Sequence, residues 1–125
     1  MKATVLNKTL GYSFYETYTM LKKRIKQNGF LLLHEINTQN IVAKQGIIIP
    51  KLIQLLFFEP KYVGQIMEND PLAINDIPLK FVIRNLGNGH TEVSFQNPIG
   101  NLQDYNLDEE MLNDLYRRIN QLLNF

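Results

Sequence analysis

The stretch LKFVIRNLGNGHTEVSF, residues 79–95, decides the fold class of this chain. Residues 79–84 and 91–95 are two runs rich in strand-forming side chains, and Asn88-Gly89 lies between them. An Asn-Gly step favours a tight turn with positive φ, which joins two antiparallel strands. The sequence therefore predicts a β-hairpin here. A hairpin in a chain that also carries helices is typical of an α+β domain.

The best-marked helix precedes this hairpin, between Ser13 and Gly29. Ser13 and Glu16 have the spacing of a capping box, in which each side chain accepts a hydrogen bond from a free backbone N–H. Gly29 can adopt the left-handed conformation that closes a helix. Apolar side chains recur at helical spacing between these two ends, at Phe14, Tyr18, Leu21 and Ile25.

Apolar runs on either side of this helix predict strands. Residues 3–6 and 9–12 read as extended, residues 30–36 as a strand, and residues 52–58 as a buried strand. Strict alternation along the predicted strand 30–36 places Phe30, Leu32, His34 and Ile36 on one face and Glu35 on the other. A short helix is predicted over residues 38–44. The apolar run 47–49 adds further strand-like surface.

The rest of the chain completes the predicted order β-α-β-(α)-β-α-β-β-α. A helix begins at Pro60, because proline at a first helical position loses no hydrogen bond, and Asp70-Pro71 ends it. Residues 97–100 break the hairpin's second strand. A last helix covers about residues 107–124. We expect one domain over residues 1–125, with two layers: a curved antiparallel or mixed sheet and helices on one face.

Composition excludes several kinds of chemistry. The chain contains no cysteine, which removes disulfides, thiolate nucleophiles and cysteine-ligated metals. Thirteen basic and twelve acidic side chains give a formal net charge of +1, so nucleic-acid binding has little support. The sequence shows no secretory signal and no membrane-spanning run. We expect a cytoplasmic protein without cofactor or metal.

Several short signals follow one another in a recognisable order. They are Ser13, Glu16-Thr17, Leu21, Ile25 and Gly29-Phe30, a buried strand entering Pro60, then Asp70-Pro71, Ile77-Pro78 and Asn97-Pro98. This order resembles the family called domain of unknown function 302, over about residues 10–98. The resemblance implies a compact α+β fold similar to the half-unit of the TATA-box-binding-protein class, and dimers. It implies no activity.

The chain departs from that family where relatives carry thiols. Many relatives have a cysteine and an asparagine before the proline that matches Pro60, and a second cysteine after the proline that matches Pro78. This chain has Phe58-Glu59 and Leu79 at those places. A redox or metal role that depends on these thiols is therefore not expected.

Three side chains are candidates for a site: His34, Glu59 and Tyr62. They support an alternative hypothesis, an enzyme or accessory factor of unknown reaction. His34 and Glu35 are adjacent, but neighbouring strand residues point to opposite faces and cannot readily share a site. The simpler interpretation of His34 is a neutral, hydrogen-bonded sheet residue. His90 is interpreted as a surface residue beside the turn, and no catalytic or metal motif is present.

The main indication of function is that the predicted strands carry more apolar side chains than one covered face of a sheet can bury. Strand runs with apolar side chains on both faces need cover on both faces, whereas a two-layer fold covers one. A partner subunit, the C-terminal helix or a bound ligand could supply the rest. The leading hypothesis is a non-catalytic homodimer that binds a small apolar ligand or a protein partner. A third, weaker hypothesis is nucleic-acid binding, which rests only on analogy with the fold that the resemblance implies. The basic run Lys22-Lys23-Arg24-Lys26 could form a phosphate-binding patch, but the helix dipole and a solvent-facing position explain it more simply.

Overall fold

A computed structural model describes residues 4–125 of the chain and shows an α+β fold. Ala3, in the first predicted extended stretch, lies outside the described residues. The strands are Val5–Leu10 (β1), Leu31–Asn37 (β2), Leu52–Phe58 (β3), Leu79–Gly87 (β4) and His90–Gln96 (β5). The helices are Phe14–Gln27 (α1), Thr38–Ala43 (α2), Lys61–Asn69 (α3), Pro98–Leu102 (α4) and Glu109–Leu122 (α5), with a 3-10 helix at Pro71–Asp76.

The five strands form one sheet in the order β1-β5-β4-β3-β2, and every neighbouring pair is antiparallel. The sheet is therefore antiparallel rather than mixed. Strands β2 to β5 follow one another as a meander. The first strand, β1, lies at the far edge beside β5, so the connection through α1 runs from one edge of the sheet to the other.

Local signals position α1 and the hairpin as the sequence predicts. Glu16 N–H donates to Ser13 Oγ at 3.2 Å and Ser13 N–H donates to Glu16 Oε1 at 3.3 Å, which completes the capping box. Gly29 has φ +82°, in the left-handed region that favours glycine. Asn88 has φ 54° between β4 and β5, as a tight hairpin turn requires.

The core lies on one face of the sheet, here called the inner face. Phenylalanine rings cross it from strand to strand, with centroids 5.2 Å apart for Phe30 and Phe57, 4.8 Å for Phe57 and Phe81, and 5.9 Å for Phe81 and Phe95. The long helices α1 and α5 bury their apolar stripes in this same core. The C-terminal helix therefore does not cover the opposite face.

The opposite face of the sheet is here called the outer face. Its side chains alternate with the core residues along each strand. They are Leu31, His34 and Ile36 of β2, Leu52, Gln54 and Leu56 of β3, Lys80, Val82 and Arg84 of β4, Glu92, Ser94 and Gln96 of β5, and Val5, Asn7 and Thr9 of β1. None of these is buried. Phe58, at the end of β3, pairs with Leu31 and lies on the same face, but it is buried.

A β-bulge in β2 corrects the predicted alternation. The register against β3 shifts between Leu32 and His34, so Leu32 faces inward whereas His34 and Ile36 face outward. A bulge places two residues opposite one and reverses the face of every later side chain. The prediction that Leu32, His34 and Ile36 share a face is therefore wrong. The prediction that His34 and Glu35 point to opposite faces is confirmed.

Two smaller expectations also change, and a third is confirmed. Residues 47–49 form part of the loop after α2 rather than a strand, and Ile48 is 87% exposed. The two extended stretches near the start are one strand, β1. Residues 97–100 do break the strand, but Asn97 then caps the short helix α4 by accepting from Ile99 N–H. No helix within residues 4–125 is long and apolar enough to cross a bilayer.

Candidate functional site

A cleft of about 410 Å³ opens on the outer face, where β4 begins and β5 ends. Ligand pockets commonly have volumes of about 300–1,000 Å³, so a small molecule fits this space. The residues from the end of the 3-10 helix to Pro78, together with Asn101 of α4, border the cleft. The outer-face side chains that line it are Val5, Leu56, Lys80, Val82, Ser94 and Gln96.

Strand register brings these side chains together from four strands. Leu56 of β3 pairs with Lys80 of β4, Val82 of β4 pairs with Ser94 of β5, and Gln96 of β5 pairs with Val5 of β1. Directly opposed residues of an antiparallel pair share a face. The sheet therefore supplies a floor on which aliphatic and polar side chains alternate.

One cationic side chain, that of Lys80, lines the cleft. The Lys80 side chain is exposed and makes no hydrogen bond or ion pair with any residue in 4–125. Asp76 also lines the cleft, and its Oδ2 accepts a hydrogen bond from Tyr105 OH at 2.5 Å. That bond raises the pKa of Tyr105 above its ordinary value. The site can therefore offer a charged donor, amide groups and an aliphatic floor.

Two predicted candidates, Glu59 and Tyr62, meet elsewhere in a cluster with Asp114 and Arg118, here called the Arg118 cluster. Arg118 Nη1 lies 3.0 Å from Glu59 Oε1 and 3.4 Å from Asp114 Oδ2. The Tyr62 hydroxyl donates a hydrogen bond to the Asp114 carboxylate. Glu59 follows β3, Tyr62 belongs to α3 and the other two lie on α5, so the cluster joins three segments.

The Arg118 side chain makes further contacts on its remaining sides. Its Nη2 donates to the backbone oxygen of Asn28 at 2.8 Å, and its guanidinium carbon lies 4.2 Å from the centre of the Phe30 ring. Only 11% of the Arg118 side chain is exposed. A buried arginine with this many partners holds its surroundings in place.

The electrostatics of the cluster favour a structural role. Burial, together with the hydrogen bond to Asp114, raises the pKa of Tyr62 to about 12. Burial alone would raise the pKa of Asp114, but hydrogen bonds from Tyr62 and Arg117 and the charge of Arg118 lower it below the ordinary value. Near neutral pH the phenol stays protonated and the carboxylate stays ionised, so neither is poised to transfer a proton.

The third candidate, His34, lies apart from the Arg118 cluster. It is exposed on the outer face of β2, opposite Leu56. Its ring makes no hydrogen bond with any residue in 4–125, so the expectation of a hydrogen-bonded histidine is wrong. His90 is exposed beside the turn, as expected, with its Nδ1 3.0 Å from Asn88 O.

A second polar group joins α1 to β2 and was not predicted. Tyr18 OH donates to Glu35 Oε1 at 2.5 Å, and Lys22 Nζ lies 3.1 Å from Glu35 Oε2. The hydrogen bond to Glu35, more than burial, raises the pKa of Tyr18. Tyr18 and Lys22 are one helical turn apart on α1, but no short-range sequence pattern predicts that they contact Glu35 on β2. The bulge that turns Glu35 inward creates this contact.

The basic run 22–26 does not form one solvent-facing patch. Lys22 is paired with Glu35. Arg24 Nη1 donates to the backbone oxygens of Leu122 and Asn124, and its guanidinium carbon lies 4.3 Å from the centre of the Phe125 ring. The prediction that the whole run faces solvent is therefore wrong, because two of its cations, Lys22 and Arg24, contact β2 and the C-terminal end of the chain. Within residues 4–125, no group of three or more histidine, aspartate and glutamate residues could hold a metal ion.

The model of the family described as "Domain of unknown function DUF302" matches residues 6–124. The chain belongs to this family. The match is wider than the expected stretch 10–98 and includes α5.

A solved structure shares the fold of this family member. It is the crystal structure of an uncharacterized conserved DUF302 protein from Bacillus stearothermophilus, with a TM-score of 0.84 and 20% sequence identity. The alignment covers 98% of this chain and 97% of that chain. At this identity the likeness shows the fold. The search of curated proteins finds no match.

Proposed function

We propose that this DUF302 protein is a non-catalytic binding domain that works as a homodimer and holds a small ligand in the cleft of the outer face. One observation carries the proposal. The outer face has no buried side chain apart from Phe58 at the end of β3, although it includes Leu31, Ile36 and Leu56. Exposed apolar surface of this kind is typical of interaction or ligand sites.

The cleft supports the ligand part of the proposal. It is concave, has the volume of a small-molecule site and combines aliphatic with polar side chains. This mixture modifies the expectation of a purely apolar ligand. A molecule with one aliphatic part and one polar part fits the lining better.

The β2–β3 side of the outer face supports the dimer part. Its six side chains that are not buried, from Leu31 to Ile36 on β2 and from Leu52 to Leu56 on β3, include no lysine, arginine, aspartate or glutamate. The neighbouring β4–β5 side carries Lys80, Arg84 and Glu92. Because a two-fold axis brings the same patch of each subunit together, an uncharged patch avoids repulsion between like charges. A second copy of the chain is therefore the occupant that this patch fits.

The non-catalytic part is supported by the way the candidates are arranged. Glu59 and Tyr62 are engaged in the Arg118 cluster, and neither of them lines the cleft. His34 lies on the outer face without a hydrogen-bonding partner in residues 4–125. An acid-base mechanism needs such groups within reach of one bound substrate.

Sedimentation of the wild type and two variants tests the dimer. Ile36→Lys places a charge in the uncharged patch, and we expect it to change a dimer into a monomer. Thr9→Lys adds the same charge on the exposed outer face of β1, and we expect it to leave the dimer intact. A wild-type protein that stays monomeric at high micromolar concentration would overturn this part of the proposal.

Native mass spectrometry of freshly purified protein tests the ligand part. We expect a fraction of the molecules to carry an additional small mass that is released on denaturation. Retention of that mass in the Ile36→Lys monomer would place the ligand within one subunit. The complete absence of a bound species, together with no binding of octanoate, octanol or octylamine at the cleft, would contradict a ligand role for the cleft.

A further inference from the structure

Resting on the proposed ligand role of the cleft, we infer that its ligand is a small amphiphilic carboxylate. The carboxylate group pairs with the Lys80 ammonium group, and a short aliphatic chain covers the floor beside Leu56 and Val82. The juxtaposition of an unpaired cation with aliphatic side chains in one concave site identifies this chemistry.

Several other basic side chains have hydrogen-bond or ion-pair partners, whereas Lys80 has none in residues 4–125. Lys8 donates to the backbone oxygen of Leu123, Lys22 is paired with Glu35, and Arg84 is paired with Glu92. Arg24 donates to two backbone oxygens, and Arg118 bridges Glu59 and Asp114. Lys80 has no such partner in residues 4–125, yet it lines the concave part of the outer face. A ligand anion would supply the missing partner.

The position of Lys80 in the register favours an amphiphile over a free inorganic anion. Its direct neighbour across β3 is Leu56, and Val82 follows two residues later on the same face of β4. An aliphatic chain beside the ammonium group would remove both of these apolar side chains from water. Each added methylene should therefore strengthen binding by about fourfold, until the chain outgrows the cleft.

Asp76 is the group that could favour the opposite charge. It lies on the 3-10 helix at the border of the cleft rather than on the floor, and Tyr105 OH donates to one of its oxygens. Lys80 belongs to the floor itself and has no such partner in residues 4–125. The charge on the floor therefore favours a carboxylate, and an amine is the alternative for the experiment to measure.

Titration with three matched probes tests the inference. Octanoate, octanol and octylamine share one chain and differ in the charge of the head group, and calorimetry and NMR shift perturbation report affinity and place. We expect octanoate to bind most tightly and to shift the signals of Leu56 and Val82. In Lys80→Met, octanoate affinity should fall about tenfold or more, because a charge-assisted hydrogen bond is lost, whereas octanol affinity should be unchanged. Lys44→Met, which removes an exposed lysine that does not line the cleft, is the control for net charge.

Each other result has a defined meaning. Equal binding of octanoate and octanol at the cleft would overturn the carboxylate inference and leave the proposed ligand role standing. Tightest binding of octylamine would overturn it in favour of Asp76. If no probe shifts any cleft residue, the proposed ligand role itself fails. Lys80 is exposed, so an unchanged melting temperature of Lys80→Met would show that the variant is folded.

Discussion

The inner and outer faces of the sheet belong to the same five strands but have different surroundings. On the inner face, Phe57, Phe81 and Phe95 touch ring to ring beneath α1 and α5, and the Arg118 cluster ties α5 to the end of β3. On the outer face, aliphatic side chains stay partly exposed and Lys80 has no partner in residues 4–125. The inner face has what a stable core needs, whereas the outer face leaves groups available for a partner.

The Arg118 cluster and the cleft differ in the features that can be mistaken for a catalytic site. Glu59 is buried and forms an ion pair with Arg118, and the pKa of Tyr62 is raised. Such features often mark active sites, but structural ion-pair networks produce them as well. The cleft has few such features, and the Lys80 ammonium group on its floor has no partner in residues 4–125. The expected effects of substitution therefore differ between the two regions.

The largest effect is expected from Arg118→Ala. The substitution leaves Glu59 and Asp114 charged without their shared cation and removes the contact with Phe30. Breaking a buried ion pair in this way destabilises a protein by about 3–5 kcal/mol. Chemical denaturation gives the free energy of unfolding. Arg117→Ala, which removes an exposed partner of Asp114, should change it by about 1 kcal/mol or less. Equal losses in both variants would mean that the Arg118 cluster is not a buried support.

A direct comparison of the faces is possible at two neighbouring leucines of β3. Leu55 is fully buried on the inner face, and Leu56 is partly exposed on the outer face. Leu55→Ala should reduce the free energy of unfolding by about 2–5 kcal/mol, because it removes core contacts and leaves a cavity. Leu56→Ala should have a clearly smaller effect in the monomer, measured in the Ile36→Lys background. A comparable loss at Leu56 would show that the outer face is packed more closely than described.

Tyr62→Phe should have an intermediate effect, of about 1–2 kcal/mol, since it removes the hydrogen bond to Asp114. The effect should also depend on pH. The folded pKa of Tyr62, about 12, lies above the unfolded value of about 10, so its stabilising contribution is complete below pH about 10 and is lost towards pH about 12.

Denaturation at a series of alkaline pH values measures this dependence. Between those two values, the stability of the wild type should fall more steeply than that of Tyr62→Phe. Tyr15→Phe, in which the altered ring is 71% exposed, is the control for the loss of one phenol. Parallel curves for the wild type and Tyr62→Phe would contradict a raised pKa for Tyr62.

The smallest effect on stability is expected on the outer face. Lys80→Met and His34→Gln should each change the free energy of unfolding by about 0.5 kcal/mol or less, because neither side chain has a hydrogen-bonding partner in residues 4–125. Thermal melts in the absence of ligand check this. A marked loss in either variant would reveal a contact that stabilises the outer face.

Local signals in the sequence predicted much of the fold. Ser13 with Glu16, Gly29 and the Asn88-Gly89 step each act within a few residues of one another, so their pattern is visible in the chain. The bulge in β2 is not visible in this way, because an extra residue changes which face later side chains occupy without changing composition. The apolar run 47–49 was misleading for a related reason, since composition alone does not distinguish a strand from a loop.

The candidate sites depend on contacts between distant segments. The sequence indicated Glu59 and Tyr62, but their partners Asp114 and Arg118 belong to the last helix, and only the fold brings the four together. The cleft is lined by residues of four strands, the 3-10 helix and α4, so no single stretch of sequence predicts it. Lys80 lies in a strand of alternating residues and has no local feature that distinguishes it from any surface lysine.

The position of β1 has a consequence for how the molecule assembles. Strands β2 to β5 can pair in sequence, each with a neighbour made just before it, whereas β1 pairs only with β5, the last strand. During synthesis β1 therefore cannot pair with β5 until most of the chain has been made. Contacts between such distant segments close late and slow folding, since the loop entropy must be overcome first. Val5 and Gln96, which line the cleft, come together through this late pairing, so the cleft would be the final part of the sheet to form.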